Sequence, residues 1–213
     1  ANVVERAKQI LIETIGEEPK ICHYLDLPIQ HANDTILKRM GRRTTKAQLV
    51  ETIEKLRSAV PDIALRTTLI TGFPGETDEQ HEELMQFVND MEFDRLGVFT
   101  YSPEEGTAAA RMDGQISEET KLDRQEALME LQQEVSMDNG TKRVGQELLV
   151  MIEGKVADEA AYVGRTYADA PGIDGYIFVN TGLELMTGDF VKVRVTGSLE
   201  YDLIGEIADE YTE

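Results

Sequence analysis

Up to about residue 144 the apolar residues of this chain alternate between helical stripes and short strands, and beyond it only short strands recur. Residues 1–17 carry Val4, Ala7, Leu11 and Ile15 at helical spacing, with Gly16 placed to stop the helix. Ile21 to Ile29 reads as a short buried strand with Pro28 near its end, and Ala32 to Met40 as a short helix ended by Gly41. Thr45 and Gln48 form a capping box that opens a helix with Leu49, Ile53, Leu56 and Val60 as its buried stripe. Ile63 to Thr71 is a nearly continuous apolar and β-branched run, the pattern of a strand covered on both faces. A tight turn, Gly72 to Gly75, leads to a second capping box, Thr77 with Gln80, and a helix burying Leu84, Phe87, Val88 and Met91. Arg95 to Tyr101 is a third strand, Ser102 to Gly114 a loop, and Ser117 caps a long helix carrying Leu128, Leu131 and Val135.

This rhythm implies βα units and a parallel sheet. Three strands are too few to close a domain comfortably, so residues 1–144 read as part of a larger α/β barrel. The exposed sheet edges favour pairing with a second copy of the chain. From 145 to 213 five short strands follow: Leu148–Ile152, Tyr162–Thr166, Tyr176–Val179, Val191–Val195 and Leu203–Ile207. Five strands in so short a segment predict a small closed barrel of the OB type.

Charge narrows the partners. The chain carries 21 Lys+Arg against 41 Asp+Glu, a formal charge of −20. The last 69 residues hold 4 Lys+Arg and 14 Asp+Glu, so acidity is densest in the predicted barrel. Such a surface repels phosphates and attracts a basic partner, although a merely soluble surface has the same look. No run approaches the ~20 apolar residues of a membrane helix. No basic-then-apolar leader opens the chain, and a cytoplasmic location is expected. The first residue is Ala1 rather than Met, which points to a chain cut or processed from a longer one.

Three segments stand where parallel barrels build their sites, at the C-terminal ends of strands. Leu69 to Thr77 includes Gly72 and Gly75, at which a ligand could approach the backbone; an ordinary strand–turn–helix has the same spacing. Tyr24 to His31 brings Gln30 and His31 to the same rim, where Gln30 suits a sugar hydroxyl or an amino-acid head, unless local backbone bonds occupy it. Arg66, inside a strand, needs a carboxylate from a ligand or from the protein. Phe99 and Tyr101 stack on a flat ring or, by default, fill core. Cys22, His23, His31 and His81 match no zinc spacing, and Cys22 reads as a small buried hydrophobe. No G-x-S-x-G nucleophile elbow occurs.

Read in series, Leu27-Pro28-Ile29-Gln30-His31, then Arg66 through Thr77, then Tyr101-Ser102-Pro103-Glu104-Glu105-Gly106-Thr107 resemble the radical S-adenosylmethionine methylthiotransferases. Residues 145–213 resemble that family's C-terminal TRAM domain. Ala168 to Gly175, with Tyr201-Asp202-Leu203, is similar to the branch that modifies a ribosomal protein. The resemblance covers essentially the whole chain. It implies a partial TIM-like radical barrel followed by an OB-like TRAM barrel. It implies an enzyme adding a methylthio group to the β-carbon of an aspartate in a basic ribosomal protein, the twelfth of the small subunit. S-adenosylmethionine would be cleaved reductively at one 4Fe-4S cluster, with a second cluster taking part in sulfur delivery. Gln30 and Arg66 would contact the ribose or the methionine head, and Ile70, Gly72 and Phe99 would border the adenine.

The family binds its radical cluster through Cys-x3-Cys-x2-Cys and carries three more cysteines in an N-terminal domain; this chain has one cysteine. It therefore resembles the C-terminal half of such an enzyme, expected to be inactive alone. The acidic barrel favours the ribosomal-protein branch over tRNA. A tRNA-modifying relative is the alternative, and a non-catalytic acidic interaction module is another. Reconstituted anaerobically with iron and sulfide, this chain should retain no stoichiometric iron by elemental analysis.

Overall fold

Thr45 and Thr77 start two helices by the same device. Thr45 accepts a bond from the Gln48 amide, and the Gln48 side chain bonds back to the Thr45 amide, opening α3 (Lys46–Ala59). Thr77 and Gln80 repeat it for α4 (Asp78–Met91). Arg57 of α3 donates to the carbonyls of Met91 and Glu92, which closes the C-terminus of α4 with a cation. Both capping boxes are legible in the sequence because they are local.

The computed structural model describes residues 3–208, with side chains from Arg6 onward. The chain forms two units, one from the residues up to Ile21 together with Leu25–Gln132, the other from Cys22–Tyr24 and from Gln133 onward. In the first unit α1 (Val3–Glu17), β1 (Tyr24–Asp26), α2 (Asp34–Arg39), α3, β2 (Ala64–Thr71), α4, β3 (Arg95–Thr100) and the start of α5 (Glu118–Arg143) follow in order. The sheet order is β1-β2-β3, and β2 and β3 are parallel with Leu69 opposite Val98. The Thr120 amide donates to Ser117, the expected cap of α5.

One face of this sheet carries the core. Leu65 and Leu69 of β2 join Ile53 of α3, Leu84 and Phe87 of α4 and Leu128 of α5 in a single buried cluster. The other face does not. Along β2 buried residues alternate with half-buried ones, and Arg66, Thr68 and Ile70 are the half-buried set. The expectation of a strand covered on both faces therefore holds on one face only, because the core residues of α3, α4 and α5 all pack on the same side.

Three further sequence expectations are corrected. The first strand has three residues rather than nine: Ile21 is exposed, and Pro28 has no amide to continue the ladder. On α1 it is Ile12 that is buried, while Leu11 is 62% exposed; the Val4 side chain lies outside the described residues. The loop 102–114 contains one 3-10 turn, Ala109–Arg111.

The second unit closes β4 (Glu147–Lys155), β5 (Ala161–Arg165), β6 (Ile177–Asn180), β7 (Phe190–Ser198) and β8 (Leu203–Ile207) into a barrel of order β4-β5-β6-β8-β7. β6 and β8 are parallel, and β4 meets β7 antiparallel to complete it. All five strands match those read from the sequence. Val150, Ile152, Ile177, Val179, Val193 and Val195 fill the interior. So small a barrel presses its strands together. A Cβ on Gly205 would stand 2.4 Å from Val193 Cγ1 and 2.7 Å from the Arg194 carbonyl oxygen. Gly164 is as tight against Val150 and Met151. Register shifts in β4 at Ile152/Gly154 and in β7 at Val195/Gly197 supply the bends that closure needs.

Two variants separate these constraints by urea denaturation. Leu69→Ala removes a fully buried side chain from the sheet core and should cost about 2–5 kcal/mol. Gly205→Ala overpacks the barrel and should cost about 1–3 kcal/mol although it adds a single methyl group.

Candidate functional site

The half-buried face of the sheet gathers most of the residues singled out in the sequence. Arg66, Thr68 and Ile70 alternate along β2, and the parallel register sets Arg95 opposite Arg66, Gly97 opposite Thr68 and Phe99 opposite Ile70. Phe99 is 59% exposed, so the default of a core aromatic is overturned for this residue. It stands on the face away from the core, beside Ile70. Gln30 joins through an isolated parallel bridge to Leu69: its amide donates to the Thr68 carbonyl at 2.9 Å, and its carbonyl accepts from the Ile70 amide at 2.8 Å. Arg66 lies four residues before Ile70, roughly 13 Å down the strand. Its guanidinium donates to Asp26 at 2.8 Å, which supplies the carboxylate a strand arginine needs.

Gly72 follows the end of β2 with φ 72°, and a Cβ there would stand 2.3 Å from Lys121 Cγ. Only glycine fits both the conformation and the space. Gly75 serves differently. Its amide donates to the Gly114 carbonyl at 2.8 Å, and the Arg39 guanidinium, bonded to the Pro74 carbonyl at 3.0 Å, fills the place of its Cβ. At Gly75 the turn is packed by protein rather than left open.

Behind the rim sits a charged cluster that the sequence reading left unassigned. Glu76 is buried, and its Oε2 accepts the Gly72 amide. Its Oε1 is 3.4 Å from His31 Nε2 and 3.6 Å from His81 Nδ1, and Arg124 of α5 stands 3.4 Å from Oε2. Arg124 also donates to the Glu76 carbonyl at 3.2 Å and to Asp78 at 2.7 Å. Burial pushes the Glu76 carboxyl up, but the neighbouring His31 and His81 rings and the charge of Arg124 outweigh it and hold the group at about 2. The network continues from His31, which accepts the Asn33 amide, to the Asn33 side chain, which donates to Glu83 at 2.6 Å; Glu83 pairs with Lys46 at 3.0 Å.

Lys121 is buried beneath the same turn. Its ammonium pairs with Glu118 at 2.5 Å and lies 5.4 Å from the centroid of the Tyr101 ring, which meets Phe73 edge-on at 5.1 Å. Sequence reasoning missed Glu76, His81, Lys121 and Arg124 as a group because they come from separate elements. The available signal was a glutamate directly before a helix cap.

The cysteine expectation is corrected: Cys22 is exposed. Among the described residues no three His, Cys, Asp or Glu side chains are grouped to hold a metal ion. No helix there is long and apolar enough to cross a membrane.

The depressed Glu76 carboxyl has a signed consequence. Its stabilisation is complete above the ordinary value of 4.5 and fades as pH falls toward about 2. The whole stabilisation is on the order of 3 kcal/mol. The stability gap between the wild-type chain and Glu76→Gln, followed by urea unfolding, should therefore narrow steadily from pH 5 to pH 2. A gap constant over that range would refute the assignment.

Comparison with known proteins agrees with this layout. Residues 6–88 match the radical SAM superfamily, and residues 144–208 match the TRAM domain. A "Ribosomal protein uS12 methylthiotransferase RimO" from Lachnoclostridium phytofermentans is 59% identical over 201 residues, 94% of this chain and 46% of that protein. Proteins of the same name from Pelotomaculum thermopropionicum and Geobacter sulfurreducens are 51% and 50% identical, each over 92% of this chain and 44% of their own length. The chain thus spans a little under half the length of the curated relatives it matches. It carries a radical SAM segment and a TRAM domain and, along nearly its whole length, is similar to part of the methylthiotransferases named RimO.

Proposed function

We propose that this chain is the C-terminal half of an enzyme that adds a methylthio group to the β-carbon of an aspartate in the basic ribosomal protein uS12, in the cytoplasm. The observation that carries the reading is Ile70 beside the exposed Phe99 on the open sheet face, with the Gln30 backbone paired to β2 next to them and Gly72 after the end of β2. Their chemistry fits S-adenosylmethionine. Ile70 and the exposed Phe99 stand side by side as an apolar wall for a purine. Gln30 offers a donor and an acceptor to the ribose or to the methionine head. Arg66 could reach the methionine carboxylate only by exchanging Asp26.

Ile70 and Phe99 would hold the adenine of S-adenosylmethionine, which would supply radical chemistry at the target carbon together with a 4Fe-4S cluster in the whole enzyme. The thiolates of that cluster, and of a second one for sulfur delivery, must come from outside this chain, whose sequence holds one cysteine. Alone it is expected to bind neither cluster and to be inactive. The work of its own residues is to orient: Ile70 and Phe99 line the face, Gln30 sits at the strand end beside them, and the Gly72 turn sets how closely a ligand approaches.

We assign substrate docking to the barrel and regard it as OB-like, on its closed order and the parallel β6–β8 pair. Its four cations, Lys155, Arg165, Lys192 and Arg194, all lie on β4, β5 and β7, where Arg165 pairs with Glu153 and Arg194 with Glu147. The remaining surface is left acidic, with Asp158, Glu159, Glu184 and Glu200 exposed. A basic protein would be drawn to it from a distance.

Fluorescence anisotropy of labelled uS12 and labelled tRNA with this chain tests the reading. uS12 should bind with an affinity that falls steeply with salt, and tRNA should not bind. Neutralising Asp158, Glu159, Glu184 and Glu200 together should weaken uS12 by about tenfold at low salt. tRNA binding with no uS12 binding would favour the tRNA-modifying alternative.

A further inference from the structure

We propose that Glu76 is a positioning residue whose one carboxylate couples the conformation of Gln30 to that of Gly72, so that these two strand ends open only together. The consequence for ligand binding rests on the S-adenosylmethionine reading above; the geometry does not.

Gln30 has φ 72°, a region that a residue with a side chain holds only when its surroundings impose it. On one side its backbone is tied to β2 by the two bonds with Thr68 and Ile70. On the other side stands His31, wholly buried. The Asn33 amide donates to His31 Nδ1 at 2.9 Å, so that nitrogen is bare and the proton of the neutral ring is on Nε2. Nε2 faces Glu76 Oε1 at 3.4 Å. The other oxygen of the same carboxylate accepts the Gly72 amide. Each oxygen therefore addresses a different strand end, one through the residue next to Gln30 and one through Gly72 directly.

Two helices brace this bridge. His81 of α4 stands 3.6 Å from Oε1, and Arg124 of α5 holds both the carboxylate and the backbone carbonyl of Glu76. The side chains of Glu76 and His31 have no exposed surface, so neither can touch a ligand lying on the open face. Their role is exerted through Gln30 and Gly72. A carboxylate suits it because both oxygens accept. The amide of a glutamine in its place has one acceptor and one donor, and one of the two strand ends would then face a donor with a donor.

The test uses amide NMR of the ¹⁵N-labelled chain. In the wild type, hydrogen exchange should give the Gln30 and Gly72 amides the same opening equilibrium; a difference above about tenfold would show independent opening and overturn the coupling. In Glu76→Gln both amide resonances should move. His31→Gln alters only the Gln30 side of the bridge, yet should still shift Gly72; a Gly72 resonance left in place while Gln30 moves overturns it. The wild-type exchange measurement decides the matter even where a variant fails to fold. In the full-length, cluster-loaded protein, His31→Gln should raise the KM for S-adenosylmethionine by about tenfold with kcat within about twofold. Full-length wild type that transfers no methylthio group would defeat the functional reading while the coupling stands on exchange. An active wild type whose KM is untouched by His31→Gln would overturn the positioning role itself.

Discussion

A carboxylate taken out of water is tolerated only where hydrogen bonds and opposite charge replace its hydration. Glu76 meets that condition by drawing His31, His81, Arg124 and the Gly72 amide around itself. These groups come from the segment after β1, from α4, from α5 and from the turn after β2. The requirement of one side chain thus fixes how four parts of the first unit meet at the rim. Remote from the open face, the cluster nonetheless decides where the residues of that face begin and end.

The sheet itself obeys a simpler constraint. Core-forming side chains of α3, α4 and α5 pack on one side, and the other side is left with Arg66, Thr68, Ile70 and Phe99. An exposed phenylalanine beside a half-buried isoleucine is poor core. The same asymmetry explains why Arg66 finds its carboxylate in Asp26, on the neighbouring strand, rather than in a helix. Gln125 and Gln132 of α5 reach the carbonyls of Val98 and Phe93, at and just before β3, so part of that sheet edge is already occupied.

In the barrel, closure leaves no room for ordinary side chains where strands cross, and Gly164 and Gly205 are the result. Closure also sorts charge. Alternation along β4 and β7 sends Val150, Val193 and Val195 inward and leaves Lys192 and Arg194 exposed, while Arg165 and Arg194 pair with glutamates. A net charge spread along a sequence becomes a surface with distinct faces.

Features that depend on near neighbours in the chain can be read from the residues alone. The capping boxes at Thr45 and Thr77, strands β2 and β3, the five barrel strands and the break in rhythm near residue 144 are all written in spacings of a few residues, where local hydrogen bonding and burial act. Gln30, Gly72 and Phe99 drew notice for the same reason, lying at or next to strand ends, whereas Ile70 was named only through the family resemblance. Tertiary structure alone decided that Phe99 is exposed, that Cys22 is not core, that Gly75 is filled by Arg39, and that Glu76, His31 and Arg124 meet. Each of these depends on which face a neighbouring element covers. Residues 31, 76 and 124 are too far apart in the chain for any local pattern to signal that they share one buried charge.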